Sequence, residues 1–199
     1  LSRARGRTSI LEVRALSELV TNYLMKKYVK GGYWHGKRVY LVDGTYITLP
    51  HGEAIQKAFP AGNNQYRELH NSQILCLCMH DVFSGVAASP HFGPYRGSKA
   101  TSEQELCKEM MGKLKESCLL MGDRNFGVFN LAYEAQQCGH EVLFRLTGPR
   151  AAHVRGRPLG NEDVDEAVVW RSSKQNNKRN PAIPADAAVK GRYIQRKVH

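Results

Sequence analysis

The sequence predicts an α/β protein, a mixed sheet with flanking helices, and three observations predict it. The run at 39–42 is apolar on both faces, as a strand buried inside a sheet is, 74–79, 82–88 and 118–121 are further apolar runs, and 141–146 reads as one more strand. Stretches of helical periodicity separate the last of these runs, and crossovers of that kind make parallel neighbours. The chain has 199 residues, 42% of them hydrophobic and 24% charged, enough for one compact domain or one domain with an appendage.

Taken in order, residues 1–8 are basic and read as a mobile arm. From Ile10 to Tyr28 the apolar residues Leu16, Leu19, Val20, Tyr23 and Leu24 recur at helical spacing, and Gly31-Gly32 stops the helix. Val39-Tyr40-Leu41-Val42 reads as a central strand that ends in Asp43. Ile74–Met79 and Val82–Ala88, joined by His80-Asp81, read as a hairpin, and His91–Ser98 as a loop by its Gly and Pro content. A helix is predicted over Lys99–Lys115, with Leu106, Met110 and Leu114 on one face. Cys118–Met121 is a strand that runs toward Asp123; Val128, Leu131, Ala132 and Ala135 mark a short helix closing at Gly139; Glu141–Leu146 is a further strand. After Gly148-Pro149 the pattern dissolves, and residues 172–181 read as a polar loop or arm.

Composition excludes several classes. No apolar run approaches the roughly 20 residues that cross a bilayer, and no charged leader with a short apolar core opens the chain. The five cysteines form no CxxC pair, which disfavours a disulfide framework or zinc ribbon and makes a reducing cytoplasm the expected compartment. Cys76 and Cys78 face the same way on a strand and read as core. The net charge of +11 is uneven: residues 1–40 carry +7, residues 41–144 carry −3 and residues 145–199 carry +7. Basic flanks of this kind suit a polyanion, because each phosphate neutralised by Lys or Arg releases counterions; a basic but merely soluble protein shows the same totals. The chain opens on Leu1 and closes in a basic stretch, which reads as a fragment.

Two aspartates sit alike at strand ends, Asp43 before Gly-Thr and Asp123 before Arg-Asn-Phe-Gly. Ligand sites in open α/β sheets gather at that edge. Two neighbouring carboxylates repel unless a cation holds them. A pair of Mg²⁺ ions about 3.5–4 Å apart would do so and would serve phosphoryl transfer. The alternative is that each Asp caps the turn that follows it. The haloacid-dehalogenase pattern is excluded, because its nucleophilic aspartate would fall at Leu41 and no second acid follows Asp123 closely.

Lys37–Thr45 with Ile47-Thr48-Leu49-Pro50, then Gly93–Ser98, then Met121–Phe126, then Val142–Leu146 resemble in order the first-aspartate block, the segment before the first long helix, the second-aspartate block and the following strand of bacterial insertion-sequence transposases of the DDE type. The resemblance spans residues 10–147. It implies an RNase H-like core over 37–147, a basic helical segment over 1–36, and the start of an insertion region over 148–199. It implies Asp43 and Asp123 as catalytic residues and as ligands of Mg²⁺ or Mn²⁺. Their reaction would be cleavage and strand transfer at transposon ends, in a synaptic complex in which a second copy of the chain takes part. In this subgroup the third carboxylate lies in a Tyr-x2-Arg-x3-Glu-x6-Lys motif. No complete version is present: Tyr193 and Arg196 have the first spacing, and the glutamate would fall past His199. The expectation is therefore a C-terminally truncated transposase with two of three ligands, inactive or impaired alone, or a non-catalytic DNA-binding remnant.

Double-stranded DNA is the expected partner, with no membrane. Arg124, Lys99, Arg96, Arg145 and Arg150 are its candidate contacts, each weighed against a plain surface or loop role. Thr45 either bonds the Asp43 carboxylate or orders the turn. Glu162, Asp163, Asp165 and Glu166 read as a solvated face rather than substitute ligands. Trp34 and Trp170 lie outside the expected core strands, with packing or base stacking as their alternatives.

Overall fold

The computed structural model describes residues 8–27, 33–61, 63–64, 67–68 and 71–197. The predicted N-terminal arm and the Gly31-Gly32 stop lie essentially outside the described residues. The chain is α/β, with antiparallel and parallel strand pairs and flanking helices, and it divides into compact units at 1–106 and 107–199.

The first unit opens with helix α1 (Ile10–Lys27). Ser9 and Glu12 form its capping box: Ser9 Oγ accepts the Leu11 N–H, and Glu12 Oε2 accepts the Ser9 N–H. A tight hairpin then joins β1 (Tyr33–Trp34) to β2 (Lys37–Thr48). Its two turn residues, His35 and Gly36, have φ of 48° and 75°, the positive pair that twisted hairpins favour. Helix α2 (Glu53–Ala58) and the short pair β3 (Asn63–Asn64) and β4 (Arg67–Glu68) follow. Then come β5 (Gln73–Asp81) and β6 (Ala87–Pro94). β5 pairs antiparallel with both β2 and β6, in a register that sets Val42 beside Met79 and Asp43 beside Cys78.

Alternation decides which face of this ladder is covered. Tyr40 and Val42 on β2 and Leu75, Leu77 and Met79 on β5 share one face and are buried. The start of helix α3 (Glu103–Met111) lies over that face: Thr101 and Leu106 fill the space beside Gly93, and the Glu103 side chain fills the space beside Gly44. At its N-terminus Ser102 and Glu105 form a second capping box. On the other face Leu41, Ile47 and Phe92 stay exposed, and the Cys76 and Cys78 sulfurs lie 3.6 Å apart. Burial, with the Cys78 contact, pushes the Cys76 thiol up to about 11.

The ladder carries a buried ion pair. Arg38 Nη1 donates to Asp81 Oδ2 at 2.7 Å, and the Asp81 side chain has no exposed surface. Asp81 Oδ1 accepts from the Phe83 and Ser84 N–H groups and the Ser84 hydroxyl, which shapes the turn from β5 to β6.

The second unit contains the rest of α3, then β7 (Cys118–Gly122), α4 (Phe129–Gln137) and β8 (Glu141–Phe144). β7 and β8 pair in parallel, Leu120 beside Val142, as the helical crossover between them predicts. Leu120, Leu131, Ala135 and Phe126 form the interior. His140 is buried there, with Nε2 on the Met111 carbonyl and Nδ1 against Cys118 Sγ. Residues beyond 148 do not dissolve. They form α5 (Gly148–Arg155), β9 (Val164–Arg171), α6 (Lys174–Arg179) and β10 (Ala188–Gln195). β9 and β10 make an eight-pair antiparallel ladder, and α6 starts on a Ser173 cap. Trp170 takes the packing role: its ring meets Phe129 edge-on at 5.7 Å, in a cluster with Tyr133, Ile183, Ala187 and Val189.

Three sequence expectations change. The loop predicted over 172–181 is largely helix α6, because Ser173 supplies an N-cap and Ser172, Asn176 and Asn177 bond one another. The predicted loop His91–Ser98 is strand as far as Pro94, since β6 is an edge strand and Pro there forfeits no ladder bond. The strand expected over Val82–Ala88 begins only at Ala87, because Asp81 captures the N–H groups that follow it.

Candidate functional site

Asp43 does not end its strand. β2 continues through Thr45-Tyr46-Ile47-Thr48, β-branched and aromatic residues that favour a pleated chain. Asp43 therefore sits in mid-strand, exposed, on the face it shares with Leu41 and with its register partner Cys78. Its Oδ1 accepts the Gly44 N–H at 2.9 Å, and Oδ2 has no protein partner among the described residues. Thr45 is exposed and does not bond the carboxylate. The step from Val42 to Asp43 carries the chain from a buried to an exposed side.

Asp123 stands where the sequence predicts, one residue past β7. A tight turn follows it. Asp123 Oδ1 accepts the Asn125 N–H at 2.8 Å, its carbonyl accepts the Phe126 N–H, and Oδ2 has no protein partner among the described residues. The Asn125 amide thus closes the turn without a glycine at that position. Phe126 is buried at 1% exposure and anchors the turn. Gly127 passes so close to the Arg145 carbonyl that a β-carbon there would overlap it. The Arg145 N–H in turn bonds the Gly122 carbonyl at 3.2 Å.

Arg150 has a role that sequence reasoning did not assign. From α5 its Nη1 donates to the Arg124 carbonyl at 2.6 Å and so holds the same turn from outside. No sequence signal marks this, since the partner is a backbone atom 26 positions away. Arg150→Ala is expected to speed hydrogen exchange at the Asn125 and Phe126 amides and to cost about 1–3 kcal/mol, with Arg150→Lys recovering part of both. Exchange mass spectrometry on residues 121–128 reads the effect, and unchanged exchange would refute the clamp.

The other candidate cations stay at the surface. Arg124 is exposed and its guanidinium makes no ion pair among the described residues. Lys99 and Arg145 are exposed, and the Arg96 guanidinium lies 4.6 Å from the Tyr95 ring centre, which itself contacts Tyr46. Burial and the neighbouring Tyr95 and Glu103 hold the Tyr46 phenol above its ordinary range.

The four acids of 162–166 are not a merely solvated face. Glu166 accepts from Arg155 Nε and Arg157 Nη2 at 2.7 and 2.6 Å; Asp165 pairs with Arg192; Glu162 lies 3.6 Å from Arg155; Asp163 pairs with Arg196 and accepts the Lys197 N–H. Hydrogen bonds from Arg155 and Arg192 hold the Glu166 and Asp165 carboxyls below their usual range. Their charge is spent on arginines, so they do not stand in for a third metal ligand. Among the described residues no group of three His, Cys, Asp or Glu side chains is placed to hold a metal ion.

No family model matches this chain, and no curated protein matches it.

Proposed function

We propose that this chain is part of a DDE-type transposase with an RNase H-like core, acting on double-stranded DNA. In this reading Asp43 and Asp123 together hold Mg²⁺ or Mn²⁺. The observation that carries it is the matched state of the two carboxylates. Each is exposed, and each has one oxygen fixed by a nearby backbone N–H and the other without a protein partner among the described residues. Such donors fit a hard divalent cation, which takes oxygen ligands and keeps several waters. When bound, the ion supplies positive charge to the scissile phosphate and a water of lowered pKa.

The chain's own residues orient the acids through the Gly44 and Asn125 amides. They offer Arg124, Arg145, Arg96 and Lys99 to the phosphate backbone, where cations position a duplex without reading its sequence. Two carboxylates of the expected three make weak cleavage the expected result. The second reading, a DNA-binding remnant without catalysis, is favoured by the arginine pairing of the acidic cluster at 162–166 in the C-terminal segment.

The test is nicking of supercoiled plasmid with Mn²⁺ or Mg²⁺, beside a gel shift at graded salt. Metal-dependent nicking that Asp43→Ala and Asp123→Ala each reduce to background supports the transposase reading. A salt-sensitive shift without nicking supports the remnant. No shift at low salt, with both substitutions silent, overturns both.

A further inference from the structure

Helix α1 forms where the sequence predicts it, and most of its apolar side chains stay exposed, Leu24 and Met25 being half-buried. Of its 18 residues none is buried. Leu16, Leu19 and Tyr23 are 63%, 66% and 60% exposed, and Val13 and Val20 are 49% and 45% exposed. Its half-buried residues are Thr21, Leu24 and Met25 near the C-terminal end, and the helix touches β6. At 3.6 residues per turn these five fall within one arc of roughly 120°, while Ile10 and Leu11 of the first turn, also exposed, lie outside it. A single helix of this length is marginal in water unless its apolar face is packed, and an exposed apolar patch of this kind marks an interaction surface.

The charges on the same arc choose the occupant. Glu12 stands at the N-terminal end of the stripe and Lys27 at the C-terminal end, with Lys26 next to it, and all three are exposed. A parallel copy would set Glu12 against Glu12 and Lys27 against Lys27. An antiparallel copy sets Glu12 against Lys27 at both ends, Leu16 against Tyr23 and Leu19 against Val20, and it opposes the two helix dipoles favourably. We infer that α1 is a self-association surface, on which a second copy of this chain docks its own α1 antiparallel about a two-fold axis. Such an isologous contact repeats each pairing twice. This inference stands apart from the proposed activity and needs neither metal nor DNA.

Sedimentation equilibrium of the full 199-residue chain tests it. The chain is expected to dimerise at micromolar to tens of micromolar concentration, more weakly at high salt. Leu19→Glu is expected to give a monomer with an unchanged circular dichroism spectrum. Lys27→Glu is expected to weaken the dimer about 10-fold, since two attractive ends become repulsive. Glu12→Lys acts likewise, and an equimolar mixture of the two variants regains the association that each lacks alone. Since Glu12 also caps the helix, Lys27→Glu and the mixture decide the outcome if Glu12→Lys alone loses helix. A chain that stays monomeric at 100 µM, a dimer indifferent to Leu19→Glu, or a monomer that instead binds anionic lipid vesicles through this helix would overturn the inference.

Discussion

Arg38→Met is expected to destabilise the first unit by about 3–5 kcal/mol, because it leaves the Asp81 carboxylate buried without its counter-ion. The Asp81 side chain has no exposed surface, and Arg38 Nη1 lies 2.7 Å from its Oδ2. Burial by itself would push the Asp81 carboxyl up; the Arg38 guanidinium and the Ser84 N–H and hydroxyl outweigh it, and the group ends below its ordinary range. A depressed carboxyl contributes stability that is present above its unfolded value, about 3.9, and is lost as pH falls through the lower folded value. The wild-type chain should therefore lose this contribution only below about pH 4. The variant should behave in the opposite sense. With the arginine gone, burial favours the neutral acid, so its deficit against wild type shrinks on acidification. Urea titrations at pH 7 and pH 4 measure both. An equal deficit at the two values would show that the loss is packing and not charge. Replacing Arg38 and Asp81 together by Met and Leu should recover much of the loss, because the stranded charge is then absent.

Phe126→Ala is expected to cost a comparable amount, about 3–5 kcal/mol, and to do so at the site itself. The ring is 1% exposed and lies within 3.0 Å of where a Gly122 β-carbon would stand, with the Phe144 ring centre 6.4 Å away. Its backbone N–H also closes the turn that begins at Asp123. Truncation leaves a cavity under that turn, so the amide that fixes Asp123 Oδ1 loses its support. Thermal unfolding should fall by many degrees and exchange at the Asn125 amide should rise together. A large stability loss with a protected Asn125 amide would show that the Arg150 clamp alone holds the turn. Phe126→Leu, which keeps most of the volume, is expected to retain the amide protection.

The strand signals in the sequence were strong where both faces of a run are buried. Ile74–Met79 and Cys118–Met121 are legible for that reason, the helix after Val128 is legible from the helical spacing of Leu131, Ala132 and Ala135, and the parallel pairing of β7 with β8 follows from the crossover between them. Asp123 at a strand end was legible too. What the residues did not show were arrangements set by distant partners. Asp43 reads as the end of its strand, yet the Glu103 side chain occupies the space beside Gly44 and β2 runs on to Thr48, which puts Asp43 in mid-strand. The hairpin of residues 164–195 was hidden because its one short apolar run, Ala167–Trp170, lies among charged residues whose arginine–carboxylate pairs help to hold the strands. The clamp by Arg150 was hidden because a carbonyl leaves no mark in a sequence.

The pairing within residues 145–199 alters how the charge of that segment is felt from a distance. Residues 145–199 hold twelve cations, but Arg155, Arg157, Arg192 and Arg196 are each engaged by an acid a few ångströms away. Their fields largely cancel within the Debye length of physiological solution, about 8 Å. A polyanion approaching this segment meets about eight outward-acting cations, so the number of ions it sheds on contact, and the steepness with which added salt loosens it, should track that smaller figure.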